Sequence, residues 1–174
     1  MSQHKSGVFG SVKNGLVSTI EGTGDVAKAV VDTTASTLAA TLKGTGKTGA
    51  AGIEAITDVA RGVIHGAKEV GGDLGEAAKG TVIGVLRGTQ EAGTEAVDTI
   101  GRTSGAVIKG TAEVGGDLGS AAKGLVSGGI HGAREVGGGA EAAAPAAASG
   151  ALDAAGKVGS KAAEKVRNAV TGTI

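Results

Sequence analysis

The sequence predicts an all-α protein of long amphipathic helices in 11- and 22-residue repeats, extended or folded back as an antiparallel helical bundle, and partly disordered when free. Three observations carry that prediction. Charge obeys an 11-residue period: of the 34 Asp, Glu, Lys and Arg residues, 31 have numbers that leave 2, 3, 6, 7 or 10 on division by eleven, Lys5, Glu141 and Lys165 being the exceptions. Of the 37 Val, Ile, Leu and Phe residues, 35 leave 1, 4, 5, 8 or 9, Val17 and Ile83 apart. Three turns in eleven residues is roughly 98° per residue, close to the α-helical step, so the charged classes fill one arc of a helix and the apolar classes the opposite one. The third observation is a longer unit: Gly22, Gly44, Gly66, Gly88, Gly110 and Gly132 stand 22 apart, and Glu69-Val70-Gly71-Gly72-Asp73-Leu74-Gly75 returns 44 residues later as Glu113 to Gly119. Internal duplication is the simplest origin.

Taken in order, residues 1–8 form an N-terminal tail and residues 9–140 six 22-residue amphipathic repeats. Gly71-Gly72 followed by Asp73 and Glu76 has the form of a helix end and a new capping box, and Gly115-Gly116-Asp117 repeats it with Ser120 in place of the Glu. The strongest break falls at Gly137-Gly138-Gly139 and Pro145, since proline removes a backbone donor and clashes in a helix interior. Residues 141–149 therefore read as an Ala/Pro linker and residues 150–174 as a C-terminal amphipathic helix. In solution this places helices near 8–70, 74–114, 118–136 and 150–171. The 11-residue phase also passes unshifted through both Gly-Gly sites, which fits a continuous helix on a surface. There the first 136 residues would form a rod of about 190 Å, at about 1.5 Å per residue.

Composition bounds the function by what it lacks. One aromatic residue (Phe9), one Met and no Cys in 174 residues leave little bulk for a conventional core and no disulfide or thiolate site. Seventeen basic and seventeen acidic residues are mixed along one face, so nucleic acid finds neither a basic stripe nor an aromatic platform. No stretch approaches the apolar length of a membrane span or a signal core, which points to a cytoplasmic protein, peripheral on a lipid surface.

Chemistry-bearing motifs do not accumulate. Gly44-Thr45-Gly46-Lys47-Thr48-Gly49 resembles the end of a phosphate loop but lacks the earlier glycine, Thr41 standing in its place, and no strand precedes it. His65 and His131 occupy positions that Lys43, Arg87 and Lys109 take in other repeats, which marks solvated side chains and not metal ligands; His4 stands apart in the tail. Glu91 and Glu95 sit on the exposed arc with nothing to raise a pKa. We expect no catalytic residues, no metal and no cofactor.

Two residue sets are the candidate working parts. Ile20, Val31, Leu42, Ile53, Ile64, Leu86, Val97, Ile108, Ile130 and Leu152 share one remainder class and form the crest of the apolar arc, a surface-binding face. The six glycines from Gly22 to Gly132 form a small-residue column at its border, where a second helix backbone can come close. Thirty-five glycines weaken an isolated helix, each by up to about 1 kcal/mol, so the helix needs either a surface or a neighbour.

The segment Val31-Asp32-Thr33-Thr34-Ala35-Ser36-Thr37-Leu38-Ala39-Ala40-Thr41-Leu42-Lys43-Gly44-Thr45-Gly46-Lys47 resembles the 11-residue repeats of perilipins; in period, residues 9–140 are more distantly similar to synucleins and group 3 late embryogenesis abundant proteins. The first resemblance implies a coat on neutral lipid, the last protection during drying or freezing. The low charge, 20% of residues, departs from the late embryogenesis proteins, and the synuclein lysine-rich motif is missing. The expected function is a non-enzymatic coat on a lipid or other apolar surface. The alternatives are a self-assembling structural bundle or filament, with homo-oligomers, and a desiccation or cold stress protectant. Ice binding is disfavoured because the series Thr23, Thr34, Thr45 stops at Ile56.

Overall fold

The computed structural model describes residues 10, 12–18, 26–45, 50–92, 96–137 and 140–173. They are helical apart from tight corners. Helix α1 covers 12–18, followed by α2 (Val26–Thr45), α3 (Ala50–Glu69), α4 (Leu74–Ala92), α5 (Ala96–Glu113), α6 (Leu118–Glu135), α7 (Ala140–Val158) and α8 (Ser160–Thr173).

The corners at both Gly-Gly sites are built by the residues that signal them. Gly71 has φ 72° and Gly115 φ 67°, left-handed backbone that glycine adopts without a Cβ penalty. Gly72 N–H then donates to Ala67 O at 2.7 Å and Gly71 N–H to Lys68 O at 3.1 Å; Gly116 and Gly115 repeat this onto Thr111 O (2.9 Å) and Ala112 O (3.2 Å). Both pairs satisfy helix-end carbonyls in the Schellman pattern. Asp73 Oδ1 accepts from Glu76 N–H at 3.0 Å, and Asp117 Oδ1 from Gly119 N–H at 2.9 Å, capping α4 and α6. Gly137, at φ 75°, ends α6 with its N–H donating to Arg134 O at 3.3 Å.

Three sequence expectations are corrected. The helix expected over 8–70 is divided into α1, α2 and α3, and that expected over 74–114 into α4 and α5. A single rod is not formed by the described residues. The unshifted phase has another cause: the corner glycines Gly71, Gly115, Gly137 and Gly159 stand 44, 22 and 22 residues apart, whole multiples of the 11-residue period, so the phase survives these corners. Finally, residues 141–149 are not a linker. They lie within α7, which runs through Pro145 to Val158, and the C-terminal stretch is divided by Gly159 into the end of α7 and α8. Pro145 and Glu141 are exposed, so the carbonyl that loses its donor faces water, while Ala143, Ala144, Ala147, Ala148, Ala151 and Ala155 bury the opposite side of α7. That packing offsets the proline cost of about 3 kcal/mol.

Each helix packs on its sequence neighbour and on the next but one. Helices α2, α4, α6 and α8 form one layer; α3, α5 and α7 form the other, and Leu16 of α1 rests on Gly66 of α3. Consecutive helices cross between layers, so the apolar arcs meet in a continuous core whose largest members are Leu16, Leu38, Ile64, Leu86, Ile100, Ile108 and Leu125. Three buried threonines satisfy their hydroxyls locally, Thr81, Thr103 and Thr111 each donating to the carbonyl four residues back at 2.7 to 2.8 Å, whereas the buried Thr34 hydroxyl has no hydrogen-bond partner among the described residues.

Candidate functional site

The crest of the apolar arc is spent inside the molecule. Ile64 and Ile108 are 0% exposed, Leu86 1% and Val31 9%, while Ile130 and Leu152 are partly buried against the same core. Ile20 lies outside the described residues, as do the side chains of Leu42, Ile53 and Val97. Among described residues the one exposed large apolar side chain is Val158. Among the described residues, the crest side chains lie in or against the contact between the packed layers.

The described glycines of the column lie at contacts between helices two apart in the chain. A Cβ on Gly66 would stand 3.2 Å from Lys13 O; one on Gly88, 3.0 Å from Ala35 O; one on Gly110, 3.5 Å from Arg61 Cα; and one on Gly132, 2.6 Å from Leu86 Cδ1. Gly22 and the surroundings of Gly44 lie outside the described part. A second column, four residues earlier, escaped the sequence reading. Gly84 would meet Val31 O at 2.8 Å, Gly128 would meet Lys79 O at 2.6 Å, and Gly150 would collide with Gly101 O. Its signal was legible: Ala40, Gly62, Gly84, Ala106, Gly128 and Gly150 are 22 apart and all small. On α6, Gly124, Gly128 and Gly132 stack in steps of four onto Gly75, Lys79 and Ile83, so α4 and α6 run parallel at close range.

Charges on the outer arcs join the same helix pairs. Arg61 donates to both carboxylate oxygens of Glu113 at 2.8 and 2.7 Å, and Arg87 to Glu135 at 2.9 Å; Lys13 Nζ stands 2.9 Å from Glu69. The Arg61 hydrogen bonds hold the Glu113 carboxyl below its ordinary range, and Glu113 in turn raises Arg61. Asp117 is also lowered, first by the Ser120 hydroxyl that donates to it. His65 Nε2 lies 3.6 Å from Glu113 and His131 Nε2 3.3 Å from Glu135, which places both histidines in the charged rows. His4 lies outside the described residues, as do residues 46–49 of the glycine-rich Gly44 to Gly49 stretch; Glu91 is helical and Glu95 undescribed.

Among the described residues no three His, Cys, Asp or Glu side chains gather as metal ligands, and no helix is long and apolar enough to cross a membrane. Open grooves among the described residues include one of about 290 Å³ over α2, α4 and α6, and one of about 880 Å³ over α5 and α7, reached also by Thr57 of α3. No known family model matches the chain, and no curated protein is significantly similar to it.

Proposed function

We propose that this chain is a non-enzymatic structural protein, a helical-repeat scaffold that packs on itself, in which one 22-residue unit is one helix with its corner. The observation that supports this most directly is the burial of the crest, Ile64, Leu86 and Ile108, between layers whose glycines seat each helix on the next but one. Helices this rich in glycine are weak alone and are held by such tertiary contact. Stability then accrues by neighbours, as in solenoids. The outer face of α8 carries Lys161, Glu164, Lys165, Arg167 and Asn168 exposed, the polar character of a capping repeat. Such a face offers no apolar seat for another copy, which favours a single folded chain over a filament.

Coating a lipid surface remains the second reading, because the crest keeps one phase over 22-residue units; the layers would have to part to offer it. Circular dichroism separates these. A self-packed scaffold is strongly helical in buffer, melts cooperatively and is indifferent to neutral liposomes. Helix that forms only with liposomes would replace this reading by the coat, and helix that forms only on drying by a stress protectant.

A further inference from the structure

A corner between two packed helices resets the helix angle, so nothing in the layers requires the apolar stripe of α3 to be in register with that of α4. It is in register all the same. Val63, Ala67, Val70, Leu74, Ala78 and Val82 follow one another in steps of three and four across the Gly71-Gly72 corner, each buried or packed against the core. On a straight helix these six share one face. With the corner opened, α3 and α4 form one amphipathic helix from Ala50 to Ala92. Straightening leaves no backbone group unpaired, because the carbonyls of Ala67 and Lys68, which now accept from Gly72 and Gly71, take ordinary helical partners instead.

The Gly115-Gly116 corner is crossed by the same stripe but is held more firmly. Asp117 accepts from Gly119 N–H, Ser120 N–H and the Ser120 hydroxyl, whereas Asp73 holds Glu76 N–H alone among the described residues. An opened helix exposes its stripe unless something covers it, and the seams that cover it already exist. Helix α2 packs on α4, and α3 on α5, so both seams join the two sides of the Gly71-Gly72 corner. A second copy opened at the same place supplies the same faces.

We propose that Gly71-Gly72 is a hinge through which two copies of this chain exchange α1, α2 and α3, giving a closed two-fold dimer in which each seam of the single chain is kept but formed between copies. The proposal rests on the self-packed scaffold reading, whose seams it reuses. It needs no apolar seat on α8 and closes after two copies, so it does not lead to a filament. Gly71, Gly72 and Gly75 weaken the straight helix, which keeps the dimer the lesser form of the unaltered chain.

The chain has no cysteine, so introduced pairs report which segments touch. Arg61 and Glu113 pair across the α3/α5 seam with the hinge between them in the chain; Arg87 and Glu135 pair across the α4/α6 seam, both after it. These side chains are partly exposed, so replacing them costs the fold little. Arg61→Cys with Glu113→Cys, and separately Arg87→Cys with Glu135→Cys, are joined by a short bismaleimide after refolding at high concentration and run on a denaturing gel. In the exchanged dimer the first pair links two copies, at twice the 16.4 kDa chain mass, and the second closes within one copy. Exchange at the α4/α5 or α5/α6 corner makes the second pair link copies, and copies packed side by side leave both pairs within one; either pattern, or no linked copies at all, overturns the proposal. The hinge is tested by Gly71→Ala with Gly72→Ala. A Cβ on Gly71 meets left-handed backbone and one on Gly72 would stand 3.2 Å from Ala67 O and 3.3 Å from Val26 Cγ2, while both alanines favour the straight helix. At equal concentration its ratio of dimer to monomer by light scattering should exceed that of the unaltered chain by about tenfold or more. A folded variant that stays monomeric overturns the hinge; should the variant not fold, the crosslinks on the unaltered corner decide. Failure of the scaffold reading shows separately, as a chain without helix in buffer by circular dichroism before any crosslinking.

Discussion

Gly128→Ala is the perturbation that most directly tests whether glycine here is a contact or a weakness. In a free helix the change is favourable by up to about 1 kcal/mol, because glycine loses the most backbone entropy on ordering. In α6 the added Cβ would stand 2.6 Å from Lys79 O and 2.9 Å from Lys79 Cα, both backbone atoms of α4. Ordinary contact begins at 3.4 Å, so the two helices must separate by 3.4 − 2.6 = 0.8 Å at that point. A gap of that size forfeits about a quarter to a half of each dispersion contact it opens. Overpacking of this kind costs about 1 to 3 kcal/mol, against which the propensity gain is subtracted. With the full propensity gain subtracted, the expected net loss is up to about 2 kcal/mol, or a melting temperature lower by up to about 8 °C for a chain of this size. Gly156→Ala is the matched control: it lies in α7 with nothing within 4 Å of the new Cβ and should gain up to about 1 kcal/mol. The measurement is reversible thermal melting by circular dichroism, with hydrogen exchange of the α6 amides to locate the effect. If Gly128→Ala melts at or above the unaltered protein, as Gly156→Ala does, the α4/α6 contact argued above is wrong.

Four further outcomes follow from the same packing. Ile108→Ala empties a fully buried position and should cost about 2 to 5 kcal/mol, seen as loss of exchange protection in α5 and its neighbours α3 and α7. Glu113 has its folded pKa below the ordinary carboxylate value, so its contribution is present above about pH 4.5 and is lost as pH falls through the folded pKa; Glu113→Gln should flatten the acid limb of a stability-against-pH curve. That pair is partly exposed, so the effect is small and shrinks with salt. Gly115→Ala places a Cβ on left-handed backbone and should cost about 1 to 2 kcal/mol, whereas Asp117→Ala should cost about 0.5 to 2 kcal/mol by uncapping α6; both are read by denaturant midpoints.

The sequence by itself determined that the chain is helical and which side of each helix is apolar, because an 11-residue period fixes the angle of every residue about the axis whatever lies beyond it. It also marked the corners at Gly71-Gly72 and Gly115-Gly116, where capping chemistry is local. The corner at Gly159, 44 residues after Gly115, did not stand out, because it is a single glycine in a chain with 35 of them. Pro145 misled for the opposite reason: its cost is local, while the alanine face that offsets it acts only once α5 and α6 are present. What tertiary structure alone decided is the destination of the apolar crest. Periodicity specifies a stripe and cannot say whether lipid, another copy or the next helix covers it. The match between Gly128 and Lys79, 49 residues apart, is what turns the stripe inward. The pairing of Arg87 with Glu135 likewise exists only once helices two apart are brought side by side.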